Sequence, residues 1–301
     1  MKKIAIIFLV LSSLQSFAQS ELAGVSYSFL GGNKDALDIN RSQAWLTIPT
    51  KLKNNNFLLH KISYQQLNFS FPDTNIFKVD GLEKFHEFKY GITYIKPLKN
   101  QWLFTVNAQP TIASNLRSSL SFDDFNFTGA IGATKKFKSQ KSSLTFGLSY
   151  SNRLGKPAPL PYFLYIKTIN TKFDYAIGFP ISKFNYNLSA KTHVHLQFAL
   201  DGYYGNISSP LKLKNGSEEF SYEGKTYLIK DINKMSISMN TMALGISHKI
   251  HNNWYLNLKT GYIASNKVSL RDKSEELFSY DLNNNFYASI GIVLKRNKQK
   301  K

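Results

Sequence analysis

The residues with the clearest chemical promise are His193-Val194-His195, with Asp201 further along the chain. On an extended strand positions 193, 195 and 201 share one face. Two imidazoles at that spacing can share a metal ion. No third ligand falls near them, so neither a metal nor a cofactor is expected. A hydrolase would need a serine, a histidine and an orienting acid or amide. Serines and asparagines occur throughout, no G-x-S-x-G element is present, and the chain is not expected to be an enzyme. Gly31-Gly32-Asn33 is followed by no helix, so it reads as a turn and not as a phosphate cradle.

These residues must be positioned by strands. From Glu83 to Ala113, Phe88, Tyr90, Ile92 and Tyr94 alternate with Glu87, Lys89, Gly91 and Thr93. A turn with Pro97 and Asn100 follows, and then Trp102, Phe104, Val106 and Ala108 alternate with Leu103, Thr105, Asn107 and Gln109. Period-two alternation in two arms about a short turn is an antiparallel hairpin. Its arms are roughly twice the usual soluble strand and suit a tilted strand crossing a bilayer, ~9–11 residues. Further strands are expected at Leu22–Leu30, Ser42–Thr50, Phe57–Phe69, Asp124–Phe137, Ser143–Ser151, Tyr162–Phe179 with a bulge near Asn170, Lys191–Tyr203, Met235–Ser247, Trp254–Ile263 and Asn285–Leu294. The count is about 12.

The connections alternate in length. Lys51–Asn56, Pro97–Gln101, Ser139–Ser142, Pro180–Asn187 and His248–Asn253 are short. Gly31–Arg41, Ser70–Leu82, Ser114–Asp123, Asn152–Pro161, Gly205–Lys234 and Ala264–Asn284 are longer. Outer-membrane barrels have short periplasmic turns, longer extracellular loops and an even strand count. A sandwich with Greek-key links has no reason to alternate in this way. The expected fold is all-β, a closed antiparallel up-and-down transmembrane β-barrel.

Composition agrees. The 301 residues include no cysteine, and aromatics make up 14%. A mean hydropathy of −0.27 is what lipid-facing apolar and lumen-facing polar residues average to in a barrel. Lys2 and Lys3, an apolar run Ile4–Leu14 and Ser16-Phe17-Ala18 read as a signal peptide over residues 1–18. The barrel is then 19–295 and a basic tail 296–301. The expected place is the outer membrane of a Gram-negative bacterium, with outer-membrane lipids and the barrel-assembly machinery as partners.

Parity along the strands names an inward set: Lys89, Thr105, Asn107, Gln109, Asn126, Asp174, His193, His195, Gln197, Asn257 and Lys259. It is polar, with charges of both signs, and names no substrate. Trp45, Trp102 and Trp254 fall near the periplasmic ends of their strands, and Tyr27, Tyr64, Tyr150, Tyr162, Tyr203 and Tyr262 towards the opposite ends. Two interfacial aromatic belts are expected.

Charge sorts by side. The formal net charge is +19, and much of it gathers on the short turns and tail. Lys51, Lys53, Lys96, Lys99, Lys135, Lys136, Lys138, Lys141, Lys183, Lys249, Lys295, Arg296 and Lys298 form a basic periplasmic rim. No nucleic-acid module is visible, so no nucleic-acid partner is expected. Lipid headgroups or cell-wall polymer would suit such a rim. Two roles remain open: a passive or gated channel for a small solute, with Gly205–Lys234 as its constriction, and a non-conducting barrel that anchors through its rim. A hydrolase is third.

The signal end Phe17-Ala18-Gln19, G-K-P-A-P-L-P at Gly155–Pro161 and G-F-P at Gly178–Pro180 resemble an uncharacterised outer-membrane barrel family of Bacteroidetes, a domain of unknown function. The resemblance implies a place and a fold, and no activity. It also implies a proline-stiffened loop through Pro157, Pro159 and Pro161. One departure is the end of the chain: many such barrels finish on an aromatic residue, whereas here Val293-Leu294 runs on into a lysine-rich tail.

Overall fold

The computed structural model describes residues 21–31, 37–273, 275–281 and 285–295. The proposed signal peptide and the tail with Arg296 and Lys298 lie outside the described residues. Among them the chain forms β1 (Glu21–Gly31), β2 (Asp38–Lys51), β3 (Phe57–Ser70), β4 (Lys84–Pro97), β5 (Trp102–Ser114), β6 (Phe125–Phe137), β7 (Ser142–Ser151), β8 (Ala158–Thr168) and β9 (Phe173–Phe179). Then come β10 (Ile181–Asn187), β11 (Thr192–Asn206), β12 (Glu219–Tyr222), β13 (Lys225–Leu228), β14 (Lys234–His251), β15 (Trp254–Arg271), β16 (Glu276–Asp281) and β17 (Asn285–Lys295).

Each wall strand pairs antiparallel with its sequence neighbour, and β1 closes on β17 from Glu21↔Lys295 to Gly31↔Phe286. β12 and β13 form a separate hairpin inside the long loop, and β16 adds to the upper part of β15 beyond β17. The wall is therefore a closed antiparallel barrel of 14 strands.

The count exceeds the sequence expectation by one hairpin. Residues 162–179 are two strands, reversed where the Asn170 side-chain oxygen accepts the backbone N–H groups of Lys172 and Phe173, both at 2.8 Å. Asn170 builds a turn where a bulge was expected. The stretch from Pro180, read as a short turn, is β10, paired back onto β9 through Lys183↔Ala176 and Asn185↔Asp174. Phe163 and Tyr165 on β8 and Phe173, Tyr175 and Ile177 on β9 all fall on odd positions. The reversal leaves the parity intact, so periodicity alone reads straight through it.

The β9–β10 hairpin is low, and β8 above Phe163 has no partner on that side. Pro159 and Pro161 belong there, within β8 opposite Tyr150 and Leu148, and not in a loop. Proline has no N–H for a ladder and is tolerated where one edge is free.

The same five-residue turn occurs twice at the short-turn end. Leu52 donates to the Asn56 carbonyl at 2.9 Å, and Leu98 to that of Trp102 at 2.8 Å. Asn54 and Asn100 take left-handed φ values of 56° and 54°, which asparagine tolerates better than most residues.

Outward faces carry Val25, Ile62, Phe88, Ile131, Leu148, Phe163, Ile177, Phe198, Leu244, Leu258 and Ile290, all exposed. A soluble monomer rarely exposes a contiguous apolar patch beyond a few hundred Å², whereas this band circles the wall. None of the described helices is long and apolar enough to cross a membrane.

The main buried cluster lies inside, at the long-loop end. Inward residues of the wall (Ile39, Leu67, Phe85, Tyr203, Ile237, Met239, Ile263) pack against Phe77 of one loop and Ile207, Leu211, Leu213, Phe220, Ile229 and Ile232 of another. The loop between β11 and β14 thus fills the mouth, tied to the 71–83 loop by a Phe77↔Leu213 bridge. At the other end Phe57, Ile95, Leu103, Tyr255 and Val293 are buried on inward positions and narrow the short-turn mouth. Eight strands are filled by side chains and 16–18 leave a channel. This barrel is filled with apolar residues at its long-loop end, is polar in the middle, and mixes the two at its short-turn end.

Candidate functional site

The polar middle holds a partly open cavity of about 280 Å³ lined by Glu21, Ser26, Ser28, Arg41, Gln43, Trp45, Lys61, Asn257, Lys259, Tyr287 and Ser289. Glu21, Asn257 and Lys259 also line a smaller space of about 80 Å³ with Asp174, Lys183, Asn185, His193, His195, Ser247 and Lys295. The two spaces adjoin at these three shared residues and are together called the chamber.

Strand parity places each group. On β3, Ile62 faces out, so Lys61 and Ser63 face in. On β15, Leu258 faces out between Asn257 and Lys259. On β11, Phe198 faces out, and His193, His195, Gln197 and Asp201 face in.

Trp45 is inward on β2, and its indole lies flat against β1. A Cβ at Gly24 would sit 2.5 Å from the Trp45 ring, so the bare glycine makes the room. Gly245 plays the same part for His195, whose ring would lie 2.4 Å from an added Cβ.

Two ion pairs hold inward charges at or beside the chamber. Arg41 bonds Asp201 across the lumen from β2 to β11. Lys89 meets the buried Glu87 at 2.6 Å. Lys295 donates to Ser247 Oγ at 2.6 Å and sits over the Tyr255 ring. Lys61, Lys183 and Lys259 line the chamber with no hydrogen bond or ion pair to any described residue.

Of the inward set expected from sequence, the structure brings Asp174, His193, His195, Asn257 and Lys259 together in the chamber. Lys89, Thr105, Asn107, Gln109 and Asn126 also face inward but lie along β4–β6, outside its lining. Asn107 donates to Thr93 Oγ1 at 2.8 Å, and Asn126 reaches the Tyr204 carbonyl of β11 at 2.8 Å. His193 Nδ1 pairs with Asn187 Oδ1 at 2.6 Å. No group of three His, Cys, Asp or Glu among the described residues could hold a metal ion.

Several rim and belt assignments change. Lys51, Lys53, Lys96, Lys99, Lys138 and Lys141 are exposed at the short-turn end. Lys135 caps the Asn100 carbonyl at 2.6 Å and lies over Trp102. Lys136, Lys183 and Lys295 are not on the rim: all three stand on inward positions of β6, β10 and β17. Trp102 and Trp254 face outward near the short turns, whereas Trp45 belongs to the chamber. Tyr162 packs inward against Gly132 and Gly147, and Tyr203 is fully buried in the apolar cluster. Tyr27, Tyr64, Tyr150 and Tyr262 stay on the outer face.

Sequence reasoning missed Glu21, Arg41, Lys61 and Asn185. Lys61 was within reach, since an outward Ile62 makes its neighbour inward. Arg41 fell one residue outside the expected second strand, and Asn185 inside an expected turn.

The stems of the mouth-filling loop carry a polar network. Asn206 ends β11 and donates to Asp124 Oδ1 at 2.9 Å, while Lys234 opens β14 and donates to the Asp123 carbonyl at 2.6 Å. Asp123 also pairs with Lys273 at 2.7 Å.

A family model described as Domain of unknown function (DUF6268) matches residues 38–295. No curated protein matches by sequence. Among solved structures, an outer membrane channel from Pseudomonas putida F1 is similar at 8% identity and TM-score 0.43, covering 92% of this chain and 97% of that one. The translocator domain of autotransporter NalP from Neisseria meningitidis is similar at 11% identity and TM-score 0.37, covering 98% and 95%. Outer membrane phospholipase A from Escherichia coli is similar at 12% identity and TM-score 0.33, covering 93% and 92%.

Proposed function

The chain belongs to the family of the domain of unknown function DUF6268, and on that premise we propose that it is a gated outer-membrane channel for small hydrophilic solutes. The observation that carries this is the polar chamber lying below a mouth that a separate loop closes with apolar side chains. A barrel that only anchors would gain stability from an apolar interior throughout, because unpaired polar and charged groups are costly to bury. Keeping lysines, amides and hydroxyls in the middle, and closing the mouth with a separate loop, suits a vessel that opens. The lipid-length strands and their apolar outer band support a place in the outer membrane, where closed antiparallel barrels reside. We assign the chain no catalytic step and no resident cofactor.

Purified protein in planar bilayers tests the reading. The intact chain should give rare, small conductance steps. Replacing residues 208–232 with a short Gly-Ser linker should give long-lived, larger ones. Silence from both proteins, with the barrel shown to be folded by heat-modifiable migration, overturns the channel.

A second reading rests on the exposed lysines of one end, Lys51, Lys53, Lys96, Lys99, Lys138 and Lys141. They suit anionic headgroups or cell-wall polymer. Co-sedimentation with peptidoglycan that disappears when all six become glutamine, together with silent bilayers, would favour an anchoring barrel.

A further inference from the structure

We propose that the chamber is a binding site for a small dianionic oxyanion, a dicarboxylate or a hydrogen phosphate. This rests on the reading above only in taking the chamber to be reachable by solute.

The first argument is charge. Lys61, Lys183, Lys259 and Lys295 line the chamber, and only Glu21 and Asp174 oppose them there. Arg41 is already matched by Asp201. Four ammoniums against two carboxylates leave two positive charges uncompensated. Like charges confined to one narrow lumen repel one another unless matched, and one dianion removes the imbalance.

The second argument is geometry. Lys259 on β15 lines both spaces, Lys61 on β3 the larger and Lys183 on β10 the smaller, so the ammoniums approach from different sides of the wall. Asp174 already accepts from Asn185 Nδ2 at 2.8 Å, which partly satisfies it. Lys295 is committed to Ser247 and Tyr255. The other three lysines have no such partner, and Asn257 beside them adds an amide. Ammoniums and amides are the groups that hold carboxylate or phosphate oxygens.

The third argument is size. The adjoining spaces of about 280 and 80 Å³ lie near and below the lower bound of ligand pockets, ~300 Å³. That suits a small acid and excludes an oligosaccharide.

The test is calorimetric titration of the full chain in detergent with succinate, inorganic phosphate, acetate and putrescine. Binding of succinate or phosphate, absent for putrescine and at least about tenfold weaker for acetate, is expected. Whichever of the two binds more tightly identifies the source of the dianion. Lys61→Gln, Lys183→Gln and Lys259→Gln should each weaken binding by about tenfold, the scale of one charge-assisted hydrogen bond. Folding of each variant is checked by heat-modifiable migration, and those that fold carry the test. Equal binding of acetate, binding of putrescine, or affinity unchanged by all three substitutions overturns the site. Equilibrium binding needs no conduction. Silent bilayers with intact binding would therefore fail the channel alone, and conductance without dianion binding would fail this site alone.

Discussion

At the scale of single residues, the interior is governed by how each charge is matched. Glu87 is almost fully buried, and its main partner is Lys89. Removing one member of a buried pair leaves the other uncompensated. Lys89 keeps some contact with water, so Glu87→Ala should cost about 1–3 kcal/mol, measured by urea unfolding in lipid. Gln at the same position should cost less, because it keeps a hydrogen-bond partner. Lys89 and Lys259 were legible as inward from parity alone. Lys183 and Lys295 were not: one fell inside an expected turn and the other past the last expected strand, where lysine reads as rim, and only the structure turns both inward. Trp45 misled for a related reason, since tryptophan near a strand end suggests an interface and Gly24, the residue that accommodates its ring, lies on another strand.

At the scale of elements, the mouth-filling loop is held at its stems more than at its tip. Burial alone would raise the Asp124 pKa, but hydrogen bonds from Ser114, the Ser121 backbone and Asn206 hold it below its ordinary value of 3.8. A carboxylate with a depressed folded pKa stabilises the fold above its unfolded pKa, and that contribution is lost as pH falls through the folded one. Opening events in a bilayer should therefore become more frequent below about pH 4, near the ordinary aspartate range. Asp124→Asn should open more readily at pH 7 and lose that acid response. A wild-type opening rate flat from pH 7 to pH 3 would contradict the latch. Loop length had marked this segment as a constriction. Its seat was not legible, because Phe77 lies on one loop and Leu213 and Phe220 on another, far apart in the chain.

At the scale of the whole molecule, the outer surface decides where the protein can live. Leu148 is 61% exposed on the outward face of β7. Leu148→Arg should cost about 2–4 kcal/mol in a bilayer if the residue lies near the midplane, and far less in detergent. A cysteine at Gly216, which has open space around it, should react with an impermeant maleimide on intact cells. One at Ser139 should not, and the reverse pattern would invert the orientation. Closure and antiparallel order were legible because length alternation and parity are local. Strand number was less so, since a low hairpin disturbs neither.

That hairpin also has an evolutionary meaning. β8 ends at Thr168 and β11 begins at Thr192, both beside short turns, so the detour through β9 and β10 leaves and returns at the same rim. Circumference in this architecture is thus a modular quantity, gained or lost in steps of two strands without re-routing the rest of the chain. Excising residues 170–187 should yield a twelve-stranded relative with unchanged topology and a tighter bore. It would be detected as a folded, heat-modifiable species whose chamber has lost Asp174 and Lys183. A chain that no longer inserts after this excision would show that the wall tolerates only its present girth.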